Sequence, residues 1–395
     1  LRVLQYYDLS GIDYLRRNAG DDGDTPLEST GLTRRCVDIL TSLSYSPPPS
    51  RTVLEDDVVN DFLGGVYASN RINALLHRAD VYSHLHGYAA VEVVPAADGR
   101  VRTYLWNASE LILRSSEDDP TEIAHVVTRD QTQDGRLRLT WWTAGARRVF
   151  VARSQRSRDF VEVEAKSNPY GRLPFGFVFL QLPVSELTPS GLGSYLADAE
   201  AAIDAKRYQL NLGIRKYLLP KPWVAGMANN WHPEDVVGEY MRLPAEMLAE
   251  GQTSPSMGYL QADLDVAQAE ASIDSSISRV LHAVGVPESV YLMEQTSAVS
   301  GDAIEAQQRP LVDYTRNRQE SLKVCEAGIA EAILAVAGAW RSEERLVQAS
   351  ASLLLSVEWP SDIIQVPGAD QDVSDRNALE MGIESLVGVV RRRYR

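Results

Sequence analysis

The sequence predicts an α+β fold. It has a body of helices and antiparallel sheet, a hairpin of two long helices carrying a small insert, and a long kinked helix. Three observations carry this prediction. Residues 88–182 alternate short β-type runs with hairpin turns, helical stretches at 191–217 and 263–284 bracket a turn-rich insert, and a third helical stretch fills 301–338. At 395 residues the chain exceeds the usual single core, so two or three lobes are expected.

Residues 1–80 read as mostly helical. Asn70, Arg71, Ile72, Asn73, Leu75, Leu76 and Val81 predict a helix running toward Gly87. Two surface loops interrupt this part: a Gly/Asp-rich stretch over 18–25, and 45–50 with Pro47-Pro48-Pro49. Tyr88 to Val94 then reads as a strand, Asp98-Gly99 as a hairpin turn, and Val101 to Trp106 as the returning strand. Ile123 to Arg129 and Leu137 to Trp142 flank a second turn at Asp134-Gly135. Val149 to Ala152 and Phe160 to Ala165 continue the series. Short strands joined by hairpin turns make an antiparallel sheet and not a doubly wound one.

In the first hairpin helix Leu196, Ala199, Ile203, Leu210 and Ile214 give a partial apolar stripe, and Pro220 and Pro222 end it. The insert 218–262 has strand-like pieces at Trp223-Val224-Ala225 and Glu239 to Leu243. In the second helix Ile273, Ile277, Val280, Leu281 and Val284 share one face, and Gly285 and Pro287 stop it. Residues 288–300 read as a loop. Pro310 removes one backbone hydrogen bond from the long helix and predicts a kink. A strand over Leu353 to Trp359 and a helix from Ser374 follow.

Composition excludes several function classes. Asp+Glu number 54 against 39 Lys+Arg, a formal net charge of −15. A surface that repels phosphate on average does not grip DNA over its whole extent. Cys36 and Cys325 fit neither a disulfide framework nor a metal cluster and read as small buried hydrophobes. No apolar run reaches membrane-spanning length; the richest, Gly328 to Ala339, is broken by Glu331. The first residues carry no signal-peptide pattern. The start at Leu1 and the abrupt ending Arg391-Arg392-Arg393-Tyr394-Arg395 leave further residues at either end open.

Catalytic motifs are missing from the sequence. There is no G-x-x-x-x-G-K-[ST], no G-x-S-x-G and no H-E-x-x-H. His84-Leu85-His86 has the spacing of a strand-borne metal pair, but on a helix i, i+2 rings point to different faces. The acidic pairs Asp56-Asp57, Asp118-Asp119 and Glu343-Glu344 are adjacent in sequence, whereas acid/base catalysis needs carboxylates converging from different segments. Trp141-Trp142, in polar alternation, suits packing in a half-buried strand together with an interface. No cofactor is expected.

The order of elements resembles the portal family of tailed bacteriophages. Ser167-Asn168-Pro169-Tyr170-Gly171-Arg172-Leu173-Pro174-Phe175 looks like the family's NPYG stretch before the first stem helix. Ser300-Gly301-Asp302-Ala303-Ile304-Glu305 is similar to the start of its kinked helix, Leu355 to Asp362 to the strand that ends the helix pair, and Met381-Gly382-Ile383-Glu384-Ser385 to its closing segment. The resemblance implies a wing over 1–190, a first stem helix over 191–217, a clip over 218–262, and a second stem helix over 263–284. It further implies a tunnel loop over 285–300, a long kinked wing helix over 301–338, and a C-terminal wing with a short crown over 339–395. The chain is short for the family and leaves little room for a large crown.

What the resemblance implies is a non-enzymatic subunit of a ring, usually of twelve copies, at one capsid vertex of the virion. Double-stranded DNA passes through such a ring during packaging and ejection without being read. The implied partners are the chain itself, the major capsid protein, the terminase large subunit that supplies the motor, and a head–tail adaptor, with no membrane. Helices of about 22–25 residues would span roughly 33–38 Å, and twelve of them would enclose a bore of roughly 24 Å. Channel-lining candidates are Asp263, Asp265, Glu270 and Asp274 on the second stem helix, with Glu288, Glu294, Ser297 and Ser300 in the loop after it. Solvated helix faces are the plain alternative for these acids. Lys206, Arg207, Arg215 and Lys216 on the first stem helix would face DNA or, preferentially, carboxylates of the paired helix across a subunit contact. Trp223, Trp231 and Tyr240 are candidate clip contacts with partners, or packing residues of the clip itself. Two rival readings remain: another ring-forming connector, and a metal-dependent DNA-processing enzyme, which would need clustered acids and a basic face.

Overall fold

A central three-stranded sheet organises the body. In the computed structural model the described residues are 2–11, 28–54, 56–184, 187, 189–214, 221–225, 241–243, 256–260, 265–292 and 301–360. The central sheet consists of β2 (Tyr88–Pro95), β3 (Val101–Asn107) and β9 (Phe175–Phe179), in the order β3-β2-β9 with both pairings antiparallel. Strand alternation sends its side chains to two different cores. Ala89, Val91, Val93 and Val178 face a helical layer, whereas Tyr88, Ala90, Phe175 and Phe179 face a second sheet.

That second sheet is β4 (Leu111–Ser115), β5 (Ile123–Gln131), β6 (Leu137–Trp142), β7 (Ala146–Ala152) and β8 (Phe160–Ser167), a meander in sequence order with every pairing antiparallel. Both predicted Asp-Gly turns fall between strands, and Gly99 and Gly135 each have φ 78°, a left-handed value that glycine adopts without a Cβ penalty. The NPYG stretch is a turn closed by Asn168. Its amide donates to the carbonyls of Thr143 and Arg172, both at 2.8 Å, and its Oδ1 accepts from the Tyr170 N–H at 3.0 Å. Tyr170 thereby reaches the Trp142 ring, with 6.3 Å between centroids.

The helical layer holds α3 (Asp57–Asn70), α4 (Ile72–His86), α8 (Gly301–Arg341) and α9 (Glu344–Ala351), beside a two-stranded sheet of β1 (Ser50–Val53) and β13 (Leu355–Glu358). Asp56 caps α3 by accepting from the Val59 N–H at 3.0 Å. The apolar run Gly328 to Ala339 lies within α8. Ile329, Ala330, Ala332, Ile333, Leu334, Val336 and Ala337 are all buried, as expected of a helix enclosed on most sides. Among the described residues no helix is long and apolar enough to cross a membrane. Pro310 lies inside α8, whose 41 residues extend about 60 Å. A third core joins α1 (Arg2–Tyr7), α2 (Leu32–Thr41) and the end of α4 to the helical hairpin.

The α+β class holds. The elements not foreseen in the sequence include β1, β4, β9, the short strand β12 (Ser256–Leu260), the helix α9, and a helix α7 (Glu288–Leu292) where a loop was expected. The loop expectation for 288–300 is therefore corrected over its first part. Glu288 to Leu292 coil because Pro287 precedes them as a helix-starting residue, its carbonyl accepting from the N–H groups of Val290 and Tyr291. The stretch 18–25 and the helix from Ser374 lie outside the described residues.

Candidate functional site

The hairpin is made of α5 (Gly193–Gly213) and α6 (Val266–Val284), 21 and 19 residues long, or about 32 and 28 Å. Between them lies a separate three-stranded sheet in the order β11-β10-β12, with β10 (Lys221–Ala225) in the middle, β11 (Met241–Leu243) parallel to it and β12 antiparallel. Trp223 stands in the central strand, with Met241 and Gly258 as its register partners. Trp231 and Tyr240 lie outside the described residues.

Buried carboxylates root α5 in the body. Glu200 and Asp204, one turn apart, are both buried. Glu200 accepts from the Ser29 hydroxyl at 2.8 Å and from the N–H groups of Gly31 at 3.0 Å and Thr33 at 2.8 Å. Asp204 accepts from the Thr30 N–H at 2.9 Å and from the Thr30 hydroxyl. These donors include amides at the start of α2, which lack helical partners and favour a negative charge. Burial pushes the Asp204 carboxyl up to about 6 against the bonds from Thr30, and its second oxygen has no hydrogen-bond partner among the described residues. The start of α5 is set by a tight crossing: a Cβ at Gly87 would collide with the Pro189 carbonyl oxygen, and the Leu192 N–H donates to the His84 carbonyl at 2.7 Å.

The two helices pack through Leu196 and Ile203 of α5 and Ile273, Ile277, Val280, Leu281 and Val284 of α6. Lys206 donates to the Ser276 hydroxyl at 3.0 Å. That hydroxyl lies on α6 of the same chain. Arg215 and Lys216 lie outside the described residues.

The acidic candidates divide into three groups. Glu270 and Asp274 are exposed and one turn apart, and Ser278 continues their row. Glu288 is exposed at the start of α7 and accepts from the Ser278 hydroxyl, so the row Glu270–Asp274–Ser278–Glu288 is continuous. Asp265 is exposed and caps α6, accepting from the Gln268 N–H at 2.9 Å. Asp263, Glu294, Ser297 and Ser300 lie outside the described residues. The stretch after α6 is pinned at Tyr291, which is buried in the third core with the Arg35 guanidinium 5.1 Å from its ring centroid.

The remaining motifs have structural uses. His84 lies on α4, buried, with Nδ1 2.8 Å from the Asp80 carbonyl and Nε2 2.7 Å from the Tyr314 hydroxyl, so both ring nitrogens are occupied. Among the described residues no group of three His, Cys, Asp or Glu side chains is placed to hold a metal ion. Cys36 and Cys325 are buried, and burial pushes the Cys36 thiol up to about 12. Trp142 packs inside the sheet core, while Trp141 stacks on His125. Two shallow hollows of about 370 and 380 Å³, one lined by Pro95, Asp98 and Tyr104 and the other by Arg51, Tyr67 and Asn73, bring no catalytic set together.

Sequence reasoning missed the Glu200–Asp204 anchor and the buried Asp80–Arg318 pair. The first had a readable signal, since Ser29-Thr30 stand just before a helical stretch, as helix-capping residues do, and two acids sit one turn apart on α5.

No family model matches the chain, and no curated protein matches it. Among solved structures, one described as the virion of a native gene transfer agent particle aligns with a TM-score of 0.42 and 12% identity, covering 94% of this chain and 88% of that one. Another, the neck of an empty particle of that kind computed with C6 symmetry, aligns with a TM-score of 0.42 and 14% identity over 95% and 90%.

Proposed function

We propose that this chain is a portal subunit of a tailed-phage type of particle, a ring-forming conduit for double-stranded DNA at one capsid vertex. The observation that carries the reading is the helical hairpin. Two helices rooted in the body bracket a separate small sheet, after an antiparallel meander and before a 41-residue helix with a proline inside it. That order joins the sequence resemblance at the NPYG turn, at the start of α8 and at the β13 strand. A hairpin held to its body at one end gains further buried surface from neighbouring copies, and a cyclic ring supplies them. In this reading the residues up to 190 form the wing, α5 and α6 the stem, 218–262 the clip that meets the terminase motor and later the adaptor, and 285–300 the tunnel loop. The capsid protein surrounds the wing. No chemical step falls to this chain.

The net charge of −15 then suits a channel that must not hold its cargo. A row of carboxylates repeated around a ring repels phosphates and reads no sequence. In this reading Glu270, Asp274 and Glu288 belong to this row, and Glu294 is its proposed further member. Glu270→Lys and Glu294→Lys in assembled particles are expected to slow DNA packaging and ejection, most strongly at low salt. Packaging at the wild-type rate at low salt in both variants would remove these residues from the bore.

A further inference from the structure

The outer face of the five-stranded sheet carries an unpaired basic surface. Across it, Ile112, Val127, Trp141 and Arg148 stand in register on neighbouring strands. Arg114 and Arg129 lie two residues along the same face. Arg114, Arg129 and Arg148 are exposed, and among the described residues none of them forms an ion pair. Ile112 is 52% exposed in their midst. An apolar residue, a tryptophan and arginines together are what the centre of a protein interface uses.

The opposite end of the same body presents the complement. Leu54, Val58 and Leu354 are 51, 55 and 58% exposed, and Leu54 hydrogen-bonds Leu354 across the β1–β13 edge at 2.9 Å. Asp57 and Asp61 flank Val58 one turn apart on α3, exposed, with no ion pair among the described residues. Their neighbour Asp56 is already engaged by Arg345 at 2.8 Å. The central sheet separates the two surfaces, since one of its faces packs on the layer holding α3 and the other on the five-stranded sheet. An acidic apolar patch and a basic apolar patch at opposite ends of one body suit a head-to-tail contact, which closes into a ring when the rotation from copy to copy closes.

We infer that the basic sheet face of one copy docks on the Leu54–Asp61–Leu354 corner of the next. This rests on the ring reading and gives it its contact surface. A nucleic-acid use of the sheet is disfavoured, because the Trp141 ring is already stacked by His125 at 5.6 Å and approached by Arg148 at 5.2 Å.

Charge exchange tests the inference. One variant carries Arg114→Glu, Arg129→Glu and Arg148→Glu; the other carries Asp57→Lys and Asp61→Lys. Each alone repels itself, and its half-assembly concentration in sedimentation should rise about ten-fold or more. Mixed one to one, they restore opposite charges at both kinds of contact and should assemble again in even-numbered rings. Thermal unfolding checks the fold of each. Should a reversal unfold the chain, the neutral set Arg→Gln at the same three positions is used, with the same loss of assembly expected. Variants that assemble alone like the wild type, or folded variants that fail to assemble when mixed, overturn the inference and leave the ring reading intact. A sheet variant that assembles normally but loses binding to a short DNA duplex assigns the face to nucleic acid and overturns it as well. A wild-type chain that never assembles removes the ring reading itself.

Discussion

Arg318→Ala is expected to cost about 3–5 kcal/mol of folding stability. Arg318 lies on α8 where α4 passes from one core to the next, and both it and Asp80 are buried. Its guanidinium meets the Asp80 carboxylate at 2.7 Å, donates to Ser83 at 2.9 Å and to the Leu180 carbonyl at 2.9 Å, and bonds the Phe179 carbonyl. Burial by itself would raise the Asp80 carboxyl, but the Arg318 charge and the His84 ring beside it together outweigh burial and hold Asp80 well below the usual carboxylate range. Removing Arg318 strands a buried negative charge and two carbonyls at once. Replacing both partners, with Asp80→Ala and Arg318→Ala, should cost much less than the sum of the two single changes. Urea unfolding of the three variants measures this. Additive losses would mean that the pair is not coupled.

Asp204→Asn should stabilise the fold at neutral pH by about 1–3 kcal/mol. The folded Asp204 carboxyl titrates near 6, because burial raises it above the ordinary value of 3.8. Between these values the native state holds a proton that the unfolded chain has released. Its contribution to stability is therefore full below about pH 4 and is lost as pH rises through about 6. Asparagine keeps the acceptor for Thr30 and removes the charge. The stability difference between variant and wild type should thus grow from pH 4 to pH 6 and stay level above it. A difference independent of pH would mean that Asp204 is not a strained carboxylate.

The parts of this fold that the sequence exposed are those with local signals. Asp-Gly turns separate the β-runs at 98–99 and 134–135, the stripe Ile273–Val284 has helical period, and Gly285 stands just past the end of α6. The missed elements depend on distant partners. Ser50–Val53 becomes a strand through pairing with Leu355–Glu358, 300 residues away in the chain, and nothing in its own sequence shows it. The β4 strand needs β5 beside it. The same limit governs the site. The acidic row on α6 follows from i, i+4 spacing, whereas its continuation to Glu288 depends on a hydrogen bond from Ser278 across a helix break. The basic face of the sheet becomes visible only once register aligns Ile112, Trp141 and Arg148 on three strands.

Closure of copies of this chain into a ring around an open channel is tested most directly by negative-stain imaging of the purified 395-residue protein at high concentration. Uniform rings are expected, with a central hole of roughly 24 Å at the stem, the spacing of about twelve packed helices. A field of single compact particles without a hole, at the same concentration, would contradict it.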